Sequence, residues 1–169
     1  VRAAYSGDMS RRQPRVTRTI VGWREWVTLP EWGVDAIKAK IDTGARTSAL
    51  HAYDIEIGER DGVTMARFTI HPWQDSSRDQ VMVQAPLLER RRVRSSSGAA
   101  KVRPVVVTTV ELAGMKVPIE VTLTRRDEMG FRMLIGRQAL RRRFVVDPAR
   151  SYLGGKPTRD VIDRNRGRV

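Results

Sequence analysis

Apolar and polar residues alternate with a period of two along most of the chain, which is the pattern of β-strands with one buried face. This alternation, or a short apolar run between turn residues, predicts strands at residues 26–30, 36–41, 50–57, 64–71, 80–85, 104–112, 117–123, 133–135 and 144–146. Residues 137–143 carry a helical pattern of one or two turns. Many short strands with one short helix predict an all-β fold, a small closed or nearly closed β-barrel or a sandwich.

The two ends of the chain lack this alternation. Residues 1–18 are polar and arginine-rich and predict a disordered basic tail, and residues 154–169 resemble a second basic tail with few apolar anchors. A single domain is therefore predicted at residues 19–153. No apolar run approaches the ~18 residues that span a bilayer, and no signal-peptide pattern precedes residue 19. The first residue is valine, which indicates a processed or trimmed start.

The charge of the chain adds a prediction about its partners. Thirty-two Lys and Arg against nineteen Asp and Glu give a formal net charge of +13 and a pI near 11.3. This excess favours a polyanionic partner (nucleic acid, a ribonucleoprotein, an anionic membrane or an acidic polypeptide), and the alternative is a solvated, arginine-rich surface. The absence of cysteine excludes disulfides and a cysteine nucleophile. It is compatible with the cytoplasmic location that we predict.

The most informative motif is Ile41-Asp42-Thr43-Gly44-Ala45, in which an apolar run leads into an aspartate at a turn. A carboxylate there can hold water for attack on a peptide bond if a second carboxylate lies beside it. Two carboxyl groups about 3 Å apart share one proton, so that one acts as base and the other as acid. The sequence contains one Asp-Thr-Gly, so the second carboxylate would come from another copy of the chain. The alternative is an Asx turn, in which the aspartate caps its own backbone.

This motif, followed some ninety residues later by Leu134-Ile135-Gly136-Arg137, resembles the retropepsins, single-domain aspartic proteases that work as homodimers. A closer resemblance is to the RimB-like branch, long labelled ATP-dependent zinc proteases. Residues 22–27, 39–52, 94–98 and 129–137 carry that resemblance, which covers about residues 20–153.

The resemblance implies a barrel of retropepsin type and an active site shared across a homodimer. It assigns catalysis to Asp42, Thr43 and Gly44, with the Thr43 hydroxyl bonding across the two-fold axis. Leu134, Ile135 and Gly136 would support the turn from behind, and residues 91–103 would form a flap over the substrate. Members of the branch accompany an ATP-grasp ligase that adds glutamates to a ribosomal protein. The implied activity is therefore an aspartic peptide hydrolase acting on acidic or glutamate-tailed polypeptides, such as a ribosomal protein.

Several side chains near the turn could bind an acidic substrate. The candidates are Ala45, Arg46, Arg94, Ser96, Arg132 and Arg137. Arg46 could hold a substrate carboxylate through two hydrogen bonds. The alternative for Arg46 is a structural ion pair with Asp54, Asp127 or Glu128.

The metal and nucleotide of the branch's older label find no support in the residues. His51 and His71 are the two histidines, they belong to no His-Glu-x-x-His motif, and a structural role is favoured for each. Residues 153–157 lack the upstream glycine and the Ser or Thr of a phosphate-binding loop. We therefore expect no metal site and no cofactor.

A second reading of the chain is a non-catalytic adaptor, a retropepsin-like barrel that binds ribosomal or other polyanionic partners through its arginines. Residues 90–94 and 141–143 could contact the phosphates of ribosomal or other RNA. Trp23, Trp26 and Trp32 could stack on bases, although a place in the core or at the barrel rim is favoured for them.

Overall fold

The computed structural model describes residues 17–73, 78–94, 98–125 and 130–165, which form a mostly β structure. The strands are β1 (Thr19–Gly22), β2 (Arg24–Leu29), β3 (Val34–Asp42), β4 (Ser48–His51), β5 (Tyr53–Arg60), β6 (Val63–Ile70), β7 (Val81–Arg94), β8 (Ala100–Leu112), β9 (Met115–Thr124), β10 (Met133–Gly136) and β11 (Phe144–Asp147). A 3-10 turn (Pro30–Trp32) and the helices α1 (Arg137–Leu140) and α2 (Arg159–Asn165) complete the described elements. The predicted all-β class is confirmed.

Six strands close into a ring. Their order is β2, β3, β10, β4, β9 and β8, and β8 returns to β2 through the pairs Val27 with Leu112 and Thr28 with Glu111. Strand β8 also pairs with β7, and β7, β6 and β5 continue the sheet beyond the ring. Strands β1 and β11 form a separate parallel pair. The predicted closed or nearly closed barrel is therefore confirmed.

The barrel interior is filled by the inward set of each alternating strand. Leu29, Ile37, Leu50, Leu123 and Ile135 are at most 1% exposed. Burying each such side chain stabilises the fold by about 1.5–3 kcal/mol. The alternation that predicted the strands thus also supplies the core.

Three local details differ from the sequence prediction. The strand predicted at residues 50–57 is two strands, β4 and β5, separated by Ala52, which donates its backbone N–H to the Thr124 carbonyl. The helix predicted to reach residue 143 ends at Leu140, because Arg141 leaves the helical region with ψ of 130°, and Arg142 then adopts a left-handed φ of 67°. Helix α2 lies within the segment predicted as a basic tail.

Strand β10 determines where the functional turn sits. It lies between β3, to which it is parallel, and β4, to which it is antiparallel. The register places Gly136 opposite Asp42 and Ile135 opposite Ile41. A segment some ninety residues away in sequence therefore backs the Asp42 turn directly.

The segment after β11 is fixed to the barrel by a buried acid. Glu25 on β2 is 0% exposed, and its carboxylate accepts backbone N–H bonds from Gly22 at 2.6 Å, Leu153 at 2.9 Å and Gly154 at 3.1 Å. A Cβ on Gly22 would lie 2.3 Å from the Arg150 carbonyl oxygen, so only glycine fits this contact. Within the described residues, no helix is both long and apolar enough to cross a membrane.

Candidate functional site

The Asp42 turn at the end of β3 is an Asx turn. One carboxylate oxygen, Oδ1, accepts the backbone N–H of Gly44 at 3.0 Å and that of Ala45 at 3.1 Å. The other oxygen lies 3.7 Å from the Lys40 ammonium group. The Asp42 side chain is 27% exposed, so it is held in place and yet reaches solvent.

Residues of β10 and α1 hold this turn from behind. A Cβ on Gly136 would lie 2.6 Å from the Thr47 carbonyl carbon and 2.8 Å from the Arg46 carbonyl oxygen. The Gly136 N–H donates to the buried Ser48 hydroxyl at 3.1 Å. Arg137 donates its backbone N–H to the Ala45 carbonyl at 2.9 Å and its guanidinium to the Gly44 carbonyl at 3.0 Å. The turn is therefore a rigid element.

A long hairpin of β7 and β8 extends beside the turn, with Arg91 opposite Arg103 and Arg94 opposite Ala100. Arg91 joins the hairpin to the barrel, since its guanidinium pairs with Glu89 and with Glu120, the latter at 2.8 Å. The Arg91 guanidinium also donates to the Thr47 hydroxyl at 3.2 Å. Burial lowers the pKa of Arg91, but the hydrogen bonds that its guanidinium donates to Glu120 and Glu89 outweigh burial and leave the pKa above its ordinary value.

Between the hairpin and the turn lies a groove with a volume of about 820 Å³, which we call the arginine groove. Of the residues that the structure describes, five arginines line it together with one carboxylate, that of Asp42. The residues that form it are Asp42, Gly44, Ala45, Arg46, Thr47, Ala49, Arg91, Arg92, Val93, Arg94, Arg103, Thr122 and Leu134. Its lining is cationic, because arginines outnumber the acid five to one, although one of them, Arg91, is paired with Glu89 and Glu120.

The predicted site residues fall into five groups, and Arg132 forms the last of them. The structure brings together Asp42, Gly44, Ala45, Arg46, Arg94 and Leu134 in the arginine groove. Thr43 and Arg137 line a neighbouring pocket. Ile135 is buried in the barrel and Gly136 packs behind the turn, so both occupy supporting positions. Ser96 lies outside the described residues.

Arg132 lies elsewhere. Its guanidinium donates to the Tyr53 hydroxyl at 2.6 Å, and it is not among the residues that line the groove. The Tyr53 ring also contacts the rings of His51 and His71, with centroid distances of 4.5 and 4.7 Å. Among the described residues, no group of three His, Cys, Asp or Glu side chains could hold a metal ion.

The interpretations of Arg46 and of the tryptophans can be compared with these contacts. Within the described part of the chain Arg46 makes no ion pair with Asp54, and its other two candidate partners lie outside that part.

Trp26 stacks on Trp73 with a centroid distance of 5.0 Å, and Trp32 packs edge-on against Phe68 at 5.4 Å. The tryptophans thus pack against other rings of the chain, as expected for the core and rim of the barrel.

Several groove residues were not predicted as site residues from the sequence, and three of them are the arginines Arg91, Arg92 and Arg103. From the sequence, Arg91 and Arg92 lie in a segment that could contact RNA phosphates, and Arg91 and Arg103 were expected at the two ends of a flap. Their cross-strand pairing could have been found from the hairpin prediction, since residues directly opposite share a face.

The structure is thus a small all-β barrel that carries an aspartate in an Asx turn, backed by β10, beside a cationic groove. The chain belongs to the RimB-like family, whose model, described as "Retropepsin-like aspartic endopeptidase RimB", matches residues 20–157. A crystal structure of a protein of unknown function from Legionella pneumophila is similar, with a TM-score of 0.69 and 27% sequence identity. That likeness covers 82% of this chain and 99% of the Legionella chain.

Curated relatives carry a different activity in their names. Proteins named "Probable alpha-L-glutamate ligase" from Desulfotalea psychrophila, Shewanella pealeana and Parasynechococcus marenigrum are 38%, 40% and 42% identical to this chain. The matches cover 88%, 81% and 86% of the chain but 32%, 30% and 31% of those relatives. The chain therefore spans about a third of their length.

These names overturn the predicted activity. The prediction of an aspartic peptide hydrolase is wrong, because relatives at 38–42% identity are named as ligases, which form bonds where a peptidase cleaves them. The adaptor reading is not confirmed by them either. The Asp-Thr-Gly motif does not by itself indicate a peptidase, because its turn is stable as an Asx turn without any catalytic partner.

Proposed function

We propose that this chain is the polypeptide-binding unit of a glutamate ligation system, and that its arginine groove holds the acidic, glutamate-bearing acceptor. The observation that carries this proposal is the composition of the groove, in which five arginines face one carboxylate. The names of the relatives supply the reaction class.

The groove suits carboxylates spaced along an extended chain. Guanidinium groups bind carboxylates through paired hydrogen bonds and keep their charge at any physiological pH. Each exposed pair contributes roughly 0.2–1 kcal/mol, so several together give moderate affinity that falls as salt is added. Arg91 already binds Glu89 and Glu120, which leaves Arg46, Arg92 and Arg94 as the exposed groups for an acceptor.

The length of the match indicates which part of the ligation this chain would perform. Ligation of glutamate requires an activated carboxyl group, and this chain matches only about a third of each named ligase. On this proposal the activation chemistry belongs to the remaining two thirds, and the barrel presents the acceptor. The retropepsin likeness in the family's description then concerns the fold and the position of the groove.

Binding of a fluorescent octaglutamate peptide, followed by anisotropy, tests the proposal. Arg46→Gln combined with Arg94→Gln removes two exposed groove charges and is expected to weaken binding by about tenfold. The matched control is Arg143→Gln with Arg150→Gln, which removes two exposed arginines outside the groove. Equal affinities for the two double variants would exclude the groove as the binding site.

The link to ligation has its own readout. The chain alone is expected to bind the acceptor and to incorporate no labelled glutamate when ATP and magnesium are supplied. Incorporation by the chain alone would overturn the division of labour.

Homodimer formation remains a proposal, and one surface favours it. Ile20 on β1 and Val145 on β11 are register partners and are 55% and 46% exposed. An exposed apolar pair on a two-stranded sheet is a candidate contact between copies. Sedimentation analysis of the wild type and of Ile20→Lys tests this, and a monomeric wild type would refute it. Contact with a ribosomal protein or RNA also remains a prediction.

A further inference from the structure

A second cavity lies against the other side of the Asp42 turn. It has a volume of about 890 Å³, and we call it the second pocket. Its lining residues are Arg18, Thr43, Arg46, Arg137, Gln138, Leu140, Arg141, Arg142, Phe144 and Val146. Five of them are arginines, and no acidic residue is among them.

In the described part of the chain, the arginines of the second pocket are not neutralised by carboxylates, although Arg137 donates to the Gly44 carbonyl at 3.0 Å. Within the described residues, the recorded ion pairs involve none of the five. Arg46, Arg137, Arg141 and Arg142 are exposed, while Leu140 and Phe144 beneath them are buried. Like charges gathered at one pocket repel one another, and an anionic ligand relieves that repulsion.

The two cavities adjoin. Arg46 lines both, and the turn is divided between them, with Asp42 and Gly44 on the groove side and Thr43 on the pocket side. Together they present nine different arginines, which are Arg18, Arg46, Arg91, Arg92, Arg94, Arg103, Arg137, Arg141 and Arg142. Among the described residues that line the two cavities, the one carboxylate is that of Asp42.

We propose that the second pocket is an extension site for the same acidic polypeptide, which crosses the Asp42 turn at Arg46 and makes binding depend on the length of the glutamate tract. This inference rests on the proposed function of the groove. Continuity through Arg46 favours one extended acidic chain over a separate phosphate-bearing ligand. The chain thereby distinguishes long acidic tracts from short ones.

Peptides of two lengths test the inference. Tetraglutamate spans about 14 Å when extended and can be held in one cavity, whereas dodecaglutamate spans about 40 Å and can enter both. Arg141→Gln with Arg142→Gln is expected to weaken dodecaglutamate binding about 3- to 10-fold and to leave tetraglutamate binding unchanged. Thermal melting of the variant verifies that it is folded.

The matched control is again Arg143→Gln with Arg150→Gln, since Arg143 directly follows the altered pair and lines neither cavity. A longer peptide offers more binding registers, so the decisive comparison is between the two double variants on dodecaglutamate. Equal affinities of these variants for dodecaglutamate would overturn the extension site.

Two further outcomes separate the alternatives. If a twelve-nucleotide oligouridylate, and not dodecaglutamate, loses affinity in the Arg141 and Arg142 variant, the pocket binds phosphates and the inference is overturned. Tetraglutamate binding that does not depend on Arg46 and Arg94 would refute the groove's proposed function instead. In that case, a loss of dodecaglutamate binding in the second-pocket variant would still support an anionic polypeptide site there.

Discussion

Glu25 and Asp42 are both carboxylates that accept backbone N–H bonds, yet they occupy opposite environments. Glu25 is 0% exposed and joins the β1–β2 turn to the segment after β11 through three such bonds. Asp42 makes two, from Gly44 and Ala45, and remains partly exposed in a groove of arginines. Two carboxylates with similar backbone hydrogen bonds can therefore differ in role, and their exposure to solvent separates the structural acid from the one that lines a groove.

The largest effect is expected from Glu25→Gln. The amide replaces one acceptor oxygen with a donor that faces a backbone N–H, and the charge that strengthened the bonds is lost. We expect a loss of about 3–5 kcal/mol in the free energy of unfolding, measured by urea denaturation. Glu59→Gln, an exposed acid on β5, is the control and should change stability by less than about 0.5 kcal/mol. Similar losses in both variants would show that the Glu25 bonds contribute little.

Gly136→Ala attacks the support of the Asp42 turn. The new Cβ would lie 2.6 Å from a backbone carbon of Thr47, so β10 or the turn must shift. We expect a cost of about 2–3 kcal/mol in the free energy of unfolding. Gly58→Ala, where a Cβ meets nothing within 4 Å, provides the comparison and should be neutral or slightly stabilising. Equal stability of the two variants would mean that the turn adapts readily.

Asp42→Asn is expected to leave stability within about 1 kcal/mol of the wild type, because the asparagine carbonyl can accept the same two N–H bonds. Removing the groove's one negative charge should tighten octaglutamate binding about threefold, from the repulsion of unit charges near 6 Å in water. Anisotropy titration measures this change. Asp61→Asn, in the turn between β5 and β6, should leave the affinity unchanged. Markedly weaker binding by Asp42→Asn would show that this carboxylate itself contacts the acceptor.

The smallest effect concerns an acid that lies in neither environment. The Thr109 hydroxyl donates to Glu31 at 2.6 Å and holds the pKa of this exposed carboxyl below its ordinary 4.5, with slight burial opposing and Thr108 adding to the effect. Because the folded pKa is the lower one, the stabilisation is complete above pH 4.5 and is lost as pH falls through the folded pKa. Glu31→Gln should cost well under about 1 kcal/mol at pH 7, and the cost should shrink as pH falls through the folded pKa. A cost that stays constant as the solution is acidified until the carboxyl is protonated would contradict this origin.

The strands and the Asp42 turn could be predicted because their signals are local. Alternation gave the inward sets of β3 and β9, and Gly44 after Asp42 indicated the turn. Glu25 was missed, although it shares its strand phase with the buried Val27 and Leu29. A charged residue on the buried face of a predicted strand indicates either a wrong register or a buried hydrogen-bonding group. Only the folded structure brings Leu153 and Gly154 to Glu25.

The site was predicted less completely than the fold, for a physical reason. The groove arises where β7, β8 and the turn meet, and this depends on β10 entering between β3 and β4. Arg132 follows the same sequence logic as Arg46, but the path before β10 brings it to Tyr53. The activity could not be read from the turn, since an Asx turn forms with or without a reaction to serve.

The position of β10 between β3 and β4 has a consequence for the order in which the molecule folds. Strands β3 and β4 are near neighbours in sequence, but they cannot settle into their native places until residues 133–136 are present to separate them. During synthesis the native pairing around the Asp42 turn therefore forms only after a segment some ninety residues later has been made. Such non-local pairing slows folding and leaves strand edges open in the meantime. A nascent chain that stops before β10 should hold the Asp42 turn in no fixed geometry.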